Sequence, residues 1–153
     1  MLPAMLLALL LIAAVPAGAQ TPDLGKRLVE AVTLKCEFTL MATGTWAKTG
    51  ETSSESKPAK LVLGFEQIST DDGTANVTGS FGAPHIIARF SGGYLHFMQM
   101  GSAGFLYTTT VFDKIARPGR LRAAHSRHEY TEVSLPGYTS RPEQYYGDCE
   151  VGF

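Results

Sequence analysis

Two cysteines, Cys36 and Cys149, stand near opposite ends of this 153-residue chain, and each falls within a strand-like stretch. Leu34 to Trp46 (LKCEFTLMATGTW) puts Leu34, Cys36, Phe38, Leu40, Ala42, Gly44 and Trp46 on every second position, with Lys35, Glu37, Thr39, Thr43 and Thr45 between them. That period of two marks a strand with one buried face. Gln144 to Val151 reads as a second strand at the far end of the chain. A bridge from Cys36 to Cys149 therefore ties the first strand to the last, and this closure restricts the folds open to everything between.

The bridge requires an oxidising compartment, and the first residues supply the signal for one. Ala4 to Val15 is uninterrupted and apolar, Pro16 breaks it, and Ala17-Gly18-Ala19 has the small-x-small form of a signal-peptidase site. A signal peptide over residues 1–19, cut after Ala19, is the expectation. The run falls short of the roughly 20 apolar residues that cross a bilayer, and no cysteine stands at or just after the cut to take a lipid. The mature chain, residues 20–153, is long enough for one domain and too short for two ordinary ones. Its compartment is the periplasm or the exterior, where two cysteines are expected to pair. Against 14 Asp and Glu stand 13 Lys and Arg, a balance that argues against a general nucleic-acid binder.

Thr21-Pro22-Asp23 followed by Leu24, Leu28, Ala31 and Val32 has the spacing of a short amphipathic helix, with a cap and a first-turn proline. Beyond Trp46, Ala47 to Pro58 is polar and without apolar period, and reads as a solvated loop. Strand-like runs follow at Lys60 to Ile68, Thr74 to Ser80, His85 to Phe90, Gly93 to Met100, Phe105 to Phe112 and Leu121 to Thr131, before Gln144 to Val151. Chain-reversing residues separate them, among them Asp71-Asp72-Gly73, Gly92-Gly93 and Pro118-Gly119. Close connections favour antiparallel neighbours. The expected fold is all-β, an up-and-down antiparallel barrel of about eight strands with a short N-terminal helix and the disulfide at its closing seam. A two-sheet β-sandwich is the alternative that also brings the ends together.

Gly44-Thr45-Trp46 has the G-x-W form found on the first strand of lipocalins and related calycin barrels, and with the preceding helix and the strand meander the chain resembles them. That resemblance implies a Trp packed across the closed end of the barrel and a cavity for a small apolar ligand. In lipocalins the Trp lies near the start of its strand, whereas Trp46 ends one. The chain also looks like the small exported bacterial proteins of unknown function, through LKCEFT, HSRHEY and YYGDCEV, a resemblance that implies compartment and fold alone.

Leu121 to Thr131 (LRAAHSRHEYT) is the most polar run, and Lys114, Arg117 and Arg120 precede it. Together with Arg122, His125, Arg127 and His128 they suit an anion site, since Arg grips carboxylate or phosphate through paired hydrogen bonds and His adds a donor. The plainer reading is a strand edge kept soluble by charge. His125 and Arg127 share one face of a strand and His128 the other. In the central hairpin, Tyr94, His96, Met98 and Met100 share a face opposite Leu95, Phe97 and Gln99, and Phe105, Tyr107, Thr109 and Val111 share one on the next strand. One such face suits the core and the other a covering helix, partner or ligand. Trp46, His96, Tyr107, Arg122, His125 and Arg127 are thus the candidate binding residues.

No H-E-x-x-H or C-x-x-C occurs, and four scattered histidines give no metal-ligand pattern. Ser126 lies in no nucleophile elbow. Neither a cofactor nor a metal is expected, and an enzyme using His125, Arg127 and a Tyr ranks third, below the two binding readings. The leading expectation is a non-catalytic barrel that binds a small apolar or anionic ligand. A module that docks on an envelope protein is the alternative. An outer-membrane barrel ranks low, because Lys60, Glu66 and Arg89 would interrupt a lipid-facing band.

Overall fold

The computed structural model describes residues 24–78, 85–101, 104–129 and 141–152; the signal peptide, the cap at Thr21 to Asp23 and the Gly82-Ala83-Pro84 turn lie outside them. After a short helix α1 (Leu24–Val29) come eight strands: β1 (Thr33–Trp46), β2 (Thr52–Ser69), β3 (Thr74–Thr78), β4 (His85–Ser91), β5 (Tyr94–Met100), β6 (Leu106–Arg117), β7 (Arg120–His128) and β8 (Glu143–Gly152). Each pairs antiparallel with the next, and β8 closes the ring on β1. The barrel, and not the sandwich, is the fold.

At the seam Cys36 lies directly across from Cys149, with their α-carbons 4.0 Å apart and the sulfurs joined. Beside it, Gly147 lies opposite Phe38. A Cβ there would sit 2.7 Å from the Phe38 α-carbon and 2.8 Å from the Glu37 carbonyl carbon, so only glycine lets β8 approach β1 this closely. Between β4 and β5 the reversal takes two residues, Gly92 and Gly93, at φ 61° and 86°, the left-handed pair that suits a tight hairpin.

The wall turns its apolar side inward. Leu34, Cys36, Phe38, Leu63, Phe65, Ala88, Leu95, Phe97, Val111, Leu121 and Cys149 are buried together, and Leu28 of α1 joins them at the end where β1 begins. Phe65 and Phe97 stack with ring centres 4.1 Å apart. The helix packs against β5 and β6, and the chain after it joins the wall through Val32 N–H to the Gly152 carbonyl and Ile68 N–H to the Val32 carbonyl, both 3.1 Å. Ala31 is buried as its spacing suggests, but Val32 is exposed.

Two expectations need correction. Ala47 to Pro58 is not a loop: a reversal at Ala47–Glu51 returns the chain directly into β2, whose residues 52–58 pair with Leu40 to Trp46. Both faces of residues 52–58 are solvated, so their backbone keeps the ladder while their side chains carry no apolar period. The alternation of β1 also breaks, because a bulge between Phe38 and Leu40 shifts its register against both neighbours. One inserted residue exchanges the two faces of the strand. Met41 and Thr43 therefore point inward, while Leu40, Gly44 and Trp46, the last 60% exposed, face outward.

Candidate functional site

The interior changes character along the barrel axis. Past the phenylalanines, toward the end opposite α1, the inner face carries Thr43 (β1), Gln99 (β5), Tyr107 and Thr109 (β6), His125 (β7) and Tyr145 (β8), all buried, with Glu129 just after β7 buried too. Strand alternation places them: 125 and 127 follow one face of β7, and 143 and 145 one face of β8.

His125 is the centre of this chamber. Its ring is 5% exposed and is tilted between Phe38, Tyr107 and Tyr145, whose ring centres lie 5.7, 6.1 and 5.9 Å away. Nδ1 lies 2.8 Å from the Thr109 hydroxyl. Burial, aided by the positive charge of Arg127, holds its pKa down to about 3, so the imidazole is neutral near pH 7. The Arg127 guanidinium lies 4.9 Å from the centre of the Tyr107 ring, a cation–π arrangement, and its NH2 is 3.5 Å from the Tyr107 hydroxyl. Glu143 stands across from Arg127 in the β7–β8 ladder. The Tyr145 hydroxyl donates to Glu143 Oε2 at 2.5 Å. Burial first, then this carboxylate, pushes the phenol up to about 12. At the rim the Thr43 hydroxyl donates to the Pro142 carbonyl at 2.9 Å.

Of the six residues singled out in the sequence, the structure brings three together, Tyr107, His125 and Arg127. Trp46 stands on the outer face because of the bulge. His96 is also outside, with Nδ1 3.0 Å from the Thr110 hydroxyl and its ring edge-on to Tyr94. Arg122 is exposed on the outer face of β7. The run of basic residues is accordingly split by the wall: while Arg127 faces the chamber, Arg117 and Arg120 form an outer cluster with Glu37, Asp148 and Glu150. Burial alone would raise the Asp148 pKa, but hydrogen bonds from Arg117 and Arg120 outweigh it and hold the carboxyl below its usual range. The same hydrogen bond raises Arg117.

Thr43, Gln99, Thr109, Glu129, Glu143 and Tyr145 carried no functional signal in the sequence. A polar residue in a strand reads as outward-facing, and for Thr43 the bulge concealed the face as well. Chemically the chamber is a set of donors and acceptors on aromatic walls. Among the described residues no group of three His, Cys, Asp or Glu side chains is placed to hold a metal ion, and no helix is long and apolar enough to cross a membrane. The class defined by fold and site is a closed eight-stranded antiparallel barrel with an apolar plugged half and a polar-aromatic half. Compared with protein-family models, curated proteins and solved structures, the chain matches none.

Proposed function

We propose that this protein is exported to the periplasm or the cell exterior and serves there as a non-catalytic binding barrel, taking a small molecule at the end opposite α1. The observation that carries the reading is the buried polar cluster around His125. Burying uncompensated polar groups costs stability, and a barrel of this size can fill its interior with apolar side chains, as the other half does. Binding is favoured over turnover because His125 is a very weak base, and general-base catalysis is most effective with a pKa near the working pH. The disulfide supports an oxidising compartment, and the inward apolar face with outward ion pairs suits a barrel in water better than one in lipid.

The test is native mass spectrometry of the chain purified from an exporting host without denaturation. A small-molecule adduct is expected, lost when Thr43→Phe fills the mouth. A folded, disulfide-closed chain that carries only its bare mass, and whose melting temperature is unmoved by a metabolite library, would overturn the proposal.

A second reading, docking on an envelope protein, is favoured by one observation. Ile87, Met98 and Met100 are about 40–60% exposed on the outer wall of β4 and β5, and Ile87 lies directly across from Met98. Met98→Glu with Met100→Glu separates the two readings, since it would abolish a partner complex and leave the adduct in place.

A further inference from the structure

We propose that the protein pairs with a second copy of itself through the outer wall centred on β8. Outward side chains stand in rows across the ladders, and the rows are of two kinds. On the α1 side of the β1 bulge they are charged: Lys35, Glu150 and Arg120 form one row, and Glu37, Asp148 and Arg122 the next. Beyond the bulge the charge stops. A row of Leu40, Tyr146, Ala124, Thr110 and His96 runs from β1 through β8, β7 and β6 to β5, and Ala42, Gln144, Ser126, Thr108 and Met98 run beside it. Gly44 and Trp46 continue the outer face of β1. None of these is Asp, Glu, Lys or Arg, although such residues make up 18% of the chain, and Leu40, Trp46 and Tyr146 are among the exposed large apolar side chains.

Charge selects the partner. A twofold axis lays a patch on its own copy, so a formal charge near the axis meets its like, a costly juxtaposition. These rows carry none. The polar groups they do carry, Gln144, Ser126, Thr108 and Thr110, each both donate and accept hydrogen bonds, which is what a group facing its own copy must do. A foreign partner gains steering and selectivity from opposite charge, and this wall offers it none, while Arg117 and Arg120 on the α1 side are engaged within the chain by Glu37, Asp148 and Glu150. A bilayer fits less well, because hydrocarbon leaves those hydroxyls and the carboxamide unsatisfied. With the axis along β8, β1 of one copy lies over β7 of the other. Leu40 then meets the partner's Ala124, large against small, and Gln144 meets the partner's Gln144 through reciprocal amide hydrogen bonds. Strands about 4.8 Å apart, with outward positions about 6.7 Å apart along each, give a patch of roughly 20 by 20 Å. That is the low end of specific interfaces, so the pair is weak, with a dissociation constant on the order of 10 μM.

The experiment is sedimentation velocity of the disulfide-closed mature chain over a range of about 1–500 μM, which brackets that constant. The mass should rise from that of one chain to that of two. Gln144→Glu and Gln144→Lys, at an exposed position, should each weaken the pair at least about tenfold, because each copy then faces its like charge, and an equimolar mixture of the two should pair more tightly than either alone. Melting temperatures equal to that of the natural chain show that both variants are folded. Met98→Glu, three strands round the wall on β5, should leave the pair unchanged. A single-chain mass at every concentration overturns the proposal, and so does a pair that survives both Gln144 variants or that their mixture fails to restore. A single-chain species that co-sediments with phosphatidylcholine vesicles overturns it in favour of a lipid-facing wall.

Discussion

The two halves of the barrel interior are built by the same strands and yet obey different rules. Around Phe65 and Phe97 the inner positions are apolar, the rings stack at 4.1 Å and Leu28 closes the end. Around His125 the inner positions are threonine, glutamine, tyrosine and histidine, and aromatic rings stand 5.7 to 6.1 Å from the imidazole. The first half is the product of area removed from water, worth roughly 25 cal/mol per Å² of apolar surface. The second half gains little from that term and must satisfy polar groups in a low-dielectric interior, where each unmet one is costly. Stability should therefore reside in one half and specificity in the other.

The largest expected effect breaks the comparison most directly. Phe97→Ala removes one ring of the stacked pair and leaves a cavity in the packed half, so unfolding in urea should show a loss of about 3–5 kcal/mol. Tyr145→Phe in the polar half removes one hydroxyl and its hydrogen bond to Glu143, and should cost about 1 kcal/mol. Comparable losses at the two positions would mean that the halves do not differ as described.

A pH series gives the next effect. In the folded chain His125 titrates at about 3, and unfolded it returns to its ordinary value of 6.5. Above the ordinary value it is neutral in both states and contributes no slope. Between the two values the unfolded chain binds a proton that the folded chain refuses, so stability falls as pH is lowered. The loss from this group should reach roughly 3 kcal/mol by about pH 4 and level off once both states are protonated. Arg127 adds to it by repelling the imidazolium; Glu143 and the phenols Tyr107 and Tyr145 are the other ionisable groups on the inner face, and Glu129 is buried just past β7. His125→Gln should flatten the slope over that window in urea midpoints measured from neutral to mildly acidic pH, and an unchanged slope would place the acid sensitivity elsewhere.

The difference between the halves also explains what could be read in advance. Alternation and turn residues marked all eight strands, and two cysteines marked the seam, because packing an apolar half imposes a period on the sequence. The bulge after Phe38 had no such mark. It reassigned Trp46 to solvent and Thr43 to the interior, since a single extra residue leaves composition unchanged while exchanging faces. Inward polar residues are marked only through their neighbours: Gln99 shares a strand face with Leu95 and Phe97, and Thr109 with Tyr107 and Val111, but both faces of that hairpin carry large groups, so the sequence does not say which one the closed wall turns inside. The pairing of Arg117 and Arg120 with Asp148 and Glu37 depends on β8 and β1 lying beside β7, which no local pattern of charge encodes.

The smallest expected effect is the sharpest test of why the polar half exists. His125→Leu alone removes the partner of the Thr109 hydroxyl and strands that group inside the barrel, and should cost about 1–3 kcal/mol. Adding Thr109→Val removes the stranded group, and replacing both members of a buried pair with apolar groups of similar shape is often near neutral. At neutral pH the double variant should thus return to within about 1 kcal/mol of the natural chain, or exceed it, with a strongly non-additive cycle. Recovery would mean that the pair is dispensable to the fold and retained for what it binds. If the double variant instead falls by the sum of its parts, the hydrogen bond between Thr109 and His125 is a structural element of the barrel, and the two halves differ in composition without differing in purpose.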